Sequence, residues 1–150
     1  MNIVFKKIWK DYGFFQVEIF VQNKWTYNAI RTYIEEEMIV ELSNAINKFV
    51  EKGEKCCWEY GEKGSETNPY IMLEFISMDN FGKIKMDVYM DAMKYDYNEN
   101  EESNYCISFP LKTEKELLKN FAMNLSFIND GDVGTVIELN KPFDTWLRQE

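Results

Sequence analysis

The sequence predicts an α+β domain, an antiparallel sheet with two helices packed on one face, in the order β-β-β-α-β-β-β-β-α-β. Three observations point there. Residues 32–52, TYIEEEMIVELSNAINKFVEK, place Ile34, Met38, Ile39, Leu42, Ala45, Ile46, Phe49 and Val50 on one side at helical pitch, with Glu36, Glu37, Glu41, Asn44, Asn47, Lys48 and Glu51 on the other. Most of the remaining chain alternates apolar and polar residues with period two, as half-buried strands do. Short polar turns separate these runs and join neighbours as hairpins, which makes the pairing antiparallel. With 150 residues, 45% of them hydrophobic, the chain is expected to form one domain over 1–150, with 140–150 either a loosely docked tail or a loose end.

Taken in order, Ile3–Trp9 reads as a strand and Lys10–Gly13 as a turn. Phe14–Gln22 is a second strand with Phe15, Val17, Ile19 and Val21 on one face, and Trp25–Ile30 a short third. The helix at 32–52 opens on Thr32 and Glu35, spaced as a capping box, and stops at Gly53. Cys56–Tyr60 is the next strand, 61–69 (GEKGSETNP) a loop, and Tyr70–Met78 a strong strand. Asp79–Gly82 is a hairpin turn leading into Lys83–Met93, where Ile84, Met86, Val88 and Met90 face in and Lys83, Lys85, Asp87, Tyr89 and Asp91 face out. Residues 95–103 form an acidic loop, and Tyr105–Leu111 is a strand ended by Pro110 at or near its edge. Thr113 and Glu116 mark a second capping box, and Leu117, Leu118, Phe121, Ala122, Leu125 and Ile128 share the inner face of that helix. Val133–Leu139 is the last strand. No internal repeat is visible. The helix at 32–52 is expected to lie across a sheet centred on the hairpin 70–93.

Charge is the strongest compositional signal. Lys plus Arg number 17 against 26 Asp plus Glu, a net charge of −9. Such a surface repels nucleic-acid phosphates and anionic membranes, and steers in a basic protein. Neither a nucleic acid nor a membrane is therefore expected as a partner. The N-terminal residues lack the pattern of a signal peptide, and no run is long enough to span a bilayer, so a cytoplasmic setting with Cys56, Cys57 and Cys106 as buried thiols is expected.

The chain has no histidine, which excludes Ser-His-Asp and Cys-His nucleophilic catalysis and histidine-ligated zinc. Neither GxxxxGK[ST] nor GxGxxG occurs, and Asp130-Gly131-Asp132 lacks the Glu that would close a calcium loop. No cofactor, metal or catalytic residue is expected. Non-catalytic binding remains, and its candidates are the outward Asp87, Tyr89 and Asp91 with the acidic run Asp96, Glu99, Glu101 and Glu102. An aromatic ring bordered by carboxylates has the composition of an interface anchor. Two other readings stand beside it. Glu74, Asp87 and Asp91 offer paired carboxylates to a small enzyme or a divalent metal. Met123, Phe127 and Trp146 offer an apolar flank to a homodimer.

In size, charge and layout, and in stretches such as CCWEYGEKGSETNPYIMLEFISMDNFGKIKMDVYM and TEKELLKNF, the chain resembles a Firmicutes family of small stand-alone proteins. It is similar in particular to the acidic immunity proteins encoded beside toxin genes. That resemblance implies a non-enzymatic protein that neutralises a basic toxin domain.

Overall fold

The computed structural model describes residues 1–96 and 98–140. The class and element order are those the sequence predicts. The strands are β1 (Asn2–Lys10), β2 (Phe14–Gln22), β3 (Tyr27–Glu35), β4 (Cys56–Tyr60), β5 (Tyr70–Met78), β6 (Lys83–Asp96), β7 (Glu101–Glu114) and β8 (Val136–Glu138); the helices are α1 (Glu36–Lys52) and α2 (Lys115–Asp130). All strand pairing is antiparallel, divided between two four-stranded sheets ordered β3-β2-β1-β8 and β4-β5-β6-β7. The hairpin 70–93 is central to the second sheet, as expected. The tail 141–150, with Pro142, Phe143, Trp146 and Leu147, lies outside the described residues.

Both helices start later than their capping boxes predict, for one reason. β3 and β7 run directly into α1 and α2, so Thr32 and Thr113 are strand residues. Thr32 pairs with Val17 and its hydroxyl reaches Asn68 Oδ1 at 3.2 Å; Thr113 pairs with Ile84 and its hydroxyl donates to Asn140 Oδ1 at 2.6 Å. Neither helix has a side-chain cap at its first residue. The backbone substitutes for one. Glu36 N–H donates to Gly13 O and Lys115 N–H to Gly82 O, so the preceding hairpin turn satisfies the first amide of each helix. The N–H groups of Gly53 and Gly131 donate to Phe49 O and Phe127 O at the other ends.

That symmetry extends through the molecule and corrects the expectation of no repeat. β1-β2-β3-α1-β4 and β5-β6-β7-α2-β8 are two copies of one unit, and each gives its last strand to the other's sheet: β4 pairs with β5 and β8 with β1. The details coincide. Asp11 N–H donates to Phe14 O in the first turn and Asp79 N–H to Lys83 O in the second. A register shift falls between Lys7 and Trp9 in β1 and between Phe75 and Ser77 in β5. The buried residues Ile39, Leu42, Ile46 and Phe49 follow Glu35 at the same spacing as Leu118, Phe121, Leu125 and Ile128 follow Glu114.

The helices lie antiparallel. Asn129 Nδ2 donates to Glu36 O, and Ser43 Oγ donates to Ala122 O near the middle of each. α1 touches β3 of one sheet and β4 and β5 of the other, while α2 touches β7 and β1 and β8. One core therefore serves both sheets. Leu42, Phe49, Ile84, Met86 and Val88 are buried in it, and Met38 packs at its margin. Phe5 meets Phe121 edge-on at 5.6 Å, and Phe49 meets Phe75 at 5.7 Å.

Two sequence readings of β6 and β7 are corrected. The acidic stretch 95–103 is mostly strand: β6 and β7 keep pairing to Asp96 opposite Glu101, and the reversal is confined to about Asn98–Asn100. Asn100 takes a positive φ of 55°, which suits its side chain in a tight reversal. Pro110 sits opposite Asp87 within an intact ladder. Its missing N–H therefore faces the free side of β7 and blunts a long edge.

Candidate functional site

The outward face of the second sheet is built row by row from the register. Cys57, Glu74, Asp87 and Pro110 lie abreast, then Glu59, Met72, Tyr89 and Ser108, then Tyr70, Asp91 and Cys106. Period-two alternation puts them opposite the buried Ile71, Leu73, Val88 and Met90. Asp87, Tyr89 and Asp91 thus share one face, and all seven candidates, with Asp96, Glu99, Glu101 and Glu102, belong to one hairpin, β6–β7.

Their environments differ. Asp87 and Tyr89 are half-buried, but Asp91 is only 7% exposed, contrary to the expectation that it faces solvent. The loop 61–69 folds over that end of the sheet: Gly64 N–H donates to Asp91 Oδ1 at 2.8 Å, and Met93 N–H to Ser65 O. The loop holds this path because Gly61, at φ +92°, lies against the Pro69 backbone, where a Cβ would collide.

Beneath the loop the sheet carries an aromatic pair that the sequence reading missed. Tyr70 and Tyr89 meet edge-to-face with centroids 5.8 Å apart. Lys63 Nζ lies 5.2 Å from the Tyr70 ring and 5.3 Å from the Tyr89 ring. Tyr70 Oη donates to Glu59 Oε2 at 2.5 Å; Cys106 Sγ donates to Tyr89 Oη at 2.9 Å, and Tyr89 Oη to Asp91 Oδ2 at 3.3 Å. Burial and the Glu59 carboxylate push the Tyr70 phenol up to about 12. The hydrogen bond with Cys106, burial and Asp91 push Tyr89 to about 12 as well. Both rings therefore stay neutral at ordinary pH and present electron-rich faces to a cation, among the neighbouring carboxylates.

Tyr70 and Lys63 were legible only as strand start and loop. Their meeting depends on the loop folding back onto the sheet. The cysteines were expected to be buried. Instead Cys57 and Cys106 are exposed and Cys56 half-buried, because odd and even positions of β4 and β7 face opposite ways.

Of the carboxylates proposed for enzymatic or metal chemistry, Glu74 and Asp87 are cross-strand neighbours and Asp91 stands apart. Glu74 lies opposite Asp87 and pairs with Lys55 Nζ at 3.4 Å, whereas Asp91 is turned to Gly64. Among the described residues no three potential ligands converge on a point that would hold a metal. Met123 and Phe127 are exposed on α2, as the third reading requires.

The first unit has its own outward feature. Trp9, Phe14 and Tyr33 pack mutually, with centroids 5.6–6.4 Å apart. Beside Phe14 and Tyr33 opens a hollow of about 700 Å³. The corresponding place in the second unit is a hollow of about 510 Å³ lined by Ser77, Lys83, Lys85 and Lys112.

No protein-family model, curated protein or solved structure matches this chain. No helix among the described residues is long and apolar enough to cross a membrane.

Proposed function

We propose that this chain is a non-enzymatic binding module for a basic protein, engaged through the outward face of the second sheet and the β6–β7 hairpin. The observation that carries this reading is Lys63, an ammonium already seated over Tyr70 and Tyr89. The chain thereby displays the ligand chemistry of its own face: a cation on two neutral aromatic rings, with Glu59 and Asp91 bonded to those rings and Glu74 and Asp87 farther along the same face. The comparison of the units adds support. β2 and β3 pair from Gln22 opposite Tyr27, whereas β6 and β7 continue to Asp96 opposite Glu101, so the acidic end is an extension the fold does not need. Neutralisation of a basic toxin domain, in the manner of an immunity protein, is the biological role that fits this chemistry and the net charge of −9.

A blocked decalysine peptide is a suitable probe. Replacing Asp87 and Glu59 by Asn and Gln should weaken its binding on the order of tenfold, with binding falling steeply as salt rises. Glu41→Gln with Glu51→Gln, which removes equal charge from the outer face of α1, should weaken it far less. Lys63→Ala should tighten binding by vacating the seat. Equal losses from the two double variants would reduce the effect to net charge and sink the proposal.

A further inference from the structure

We infer that the hollow beside Phe14 and Tyr33 is a second binding site, for an arginine side chain presented by a peptide segment. This goes beyond the reading of the second sheet and does not depend on it.

The walls of the hollow are Tyr12, Phe14, Tyr33 and Tyr60, and its carboxylates are Glu35 and Glu37. Trp9 supports the wall from behind, edge-on to Tyr33 at 89° and tilted 56° to Phe14. Tyr12 is 98% exposed, and Trp9 and Tyr33 are exposed too, so a connected aromatic surface faces water at one end of the molecule. Exposed aromatic groups of this size mark interaction sites more often than accidents of folding.

The second unit shows that folding does not require them. The superposition of turn, bulge and helix start places Ser77 where Trp9 is, Lys83 where Phe14 is and Lys112 where Tyr33 is. The same backbone is thus completed by one small and two cationic side chains. The aromatic set answers to something outside the shared fold.

The ligand follows from the chemistry. Flat rings with adjacent carboxylates favour a planar cation that stacks on one and pairs with the other, which is guanidinium rather than ammonium. Glu35 is held ready: Tyr60 Oη, anchored 2.6 Å from Tyr33 O, lies 3.1 Å from Glu35 Oε2. Glu36 and Glu37 lie in the first turn of α1. The positive end of the α1 dipole opposes a cation here, but it amounts to about half an elementary charge against the full charges of Glu35, Glu36 and Glu37. An anionic or apolar occupant would leave those carboxylates unanswered.

The test is a titration of the whole chain with blocked Gly-Arg-Gly-Arg-Gly and with its lysine and citrulline counterparts, followed by aromatic NMR shifts. The arginine peptide should move the Trp9, Phe14 and Tyr33 signals and bind several-fold tighter than the lysine peptide, and the citrulline peptide should not bind. The double substitution Phe14→Lys and Tyr33→Lys copies the second unit, so it should fold with an unchanged melting temperature and lose arginine binding by more than tenfold. If that variant unfolds, Glu35→Gln with Glu37→Gln tests the same site from its carboxylates and should cost a similar factor. No shift at millimolar arginine peptide overturns the inference. So do equal affinities for the arginine and citrulline peptides, or shifts confined to Tyr70 and Tyr89.

Discussion

Lys7 shows how a single residue departs from its own repeat. Its counterpart Phe75 packs on Phe49 in the core, whereas Lys7 is buried and donates from Nζ to Ile128 O, Asn129 O and Gly131 O at 2.9, 3.1 and 2.9 Å. It thus caps the C-terminus of α2, where carbonyls lack helical partners and the dipole favours a cation. Phe15 lies 4.5 Å beneath the ammonium. Lys7→Met keeps the chain length but strands those carbonyls, and should destabilise the fold by about 1–3 kcal/mol in urea titration. The pH dependence has a definite sign. Burial, then the neighbouring Lys10, lower the Lys7 pKa from 10.5 despite Glu36, Asp130 and Asp132. The folded state releases this proton before the unfolded state does. The stability of wild type relative to Lys7→Met should therefore rise as pH rises from the lowered folded value towards 10.5, and a flat or falling difference would contradict the assignment. The sequence reads Lys7 only as a basic residue in a strand. Its role comes from α2, more than a hundred residues away in the chain.

At the scale of elements, the β6–β7 hairpin is the informative one. Its outer part, from Ala92 opposite Tyr105 to Asp96 opposite Glu101, pairs beyond the end of β5, which reaches only Asp91. Replacing residues 94–103 by Asn-Gly should therefore leave the core intact and shift the melting temperature by only a few degrees. Circular dichroism on heating checks this. Loss of cooperative melting would mean that the acidic end stabilises the fold rather than serving recognition. The elements themselves were largely legible. β2, β4 and β5 fall where alternation puts them, because one buried face per strand imposes period two. The helix starts and the acidic stretch were misplaced because Thr and Glu satisfy a capping box and an edge strand equally well. Only the neighbouring strand's register decides between these outcomes.

The whole molecule is two units locked by exchange of β4 and β8. Each sheet needs a strand from the other unit, and both helices bridge the sheets. Neither unit has a closed core of its own, so thermal unfolding should be a single transition with equal calorimetric and van't Hoff enthalpies. Two resolved transitions in scanning calorimetry would show that the units are independent despite the exchange.

By itself the sequence determined the α+β class, the element order, the inward faces of the strands and helices, and the exclusion of histidine chemistry. These follow from local periodicity and composition, which neighbouring residues alone express. Tertiary structure decided the division into two sheets and the repeat. The units share turns, bulges and spacing but little residue identity, and a turn one residue longer and a longer hairpin put their sequences out of step. It also decided the sites. Lys63 meets Tyr70 and Tyr89, and Tyr60 meets Glu35, only because a loop folds back and a strand crosses between units. Such contacts join residues whose separation along the chain carries no periodic signal, so their chemistry becomes visible only in three dimensions.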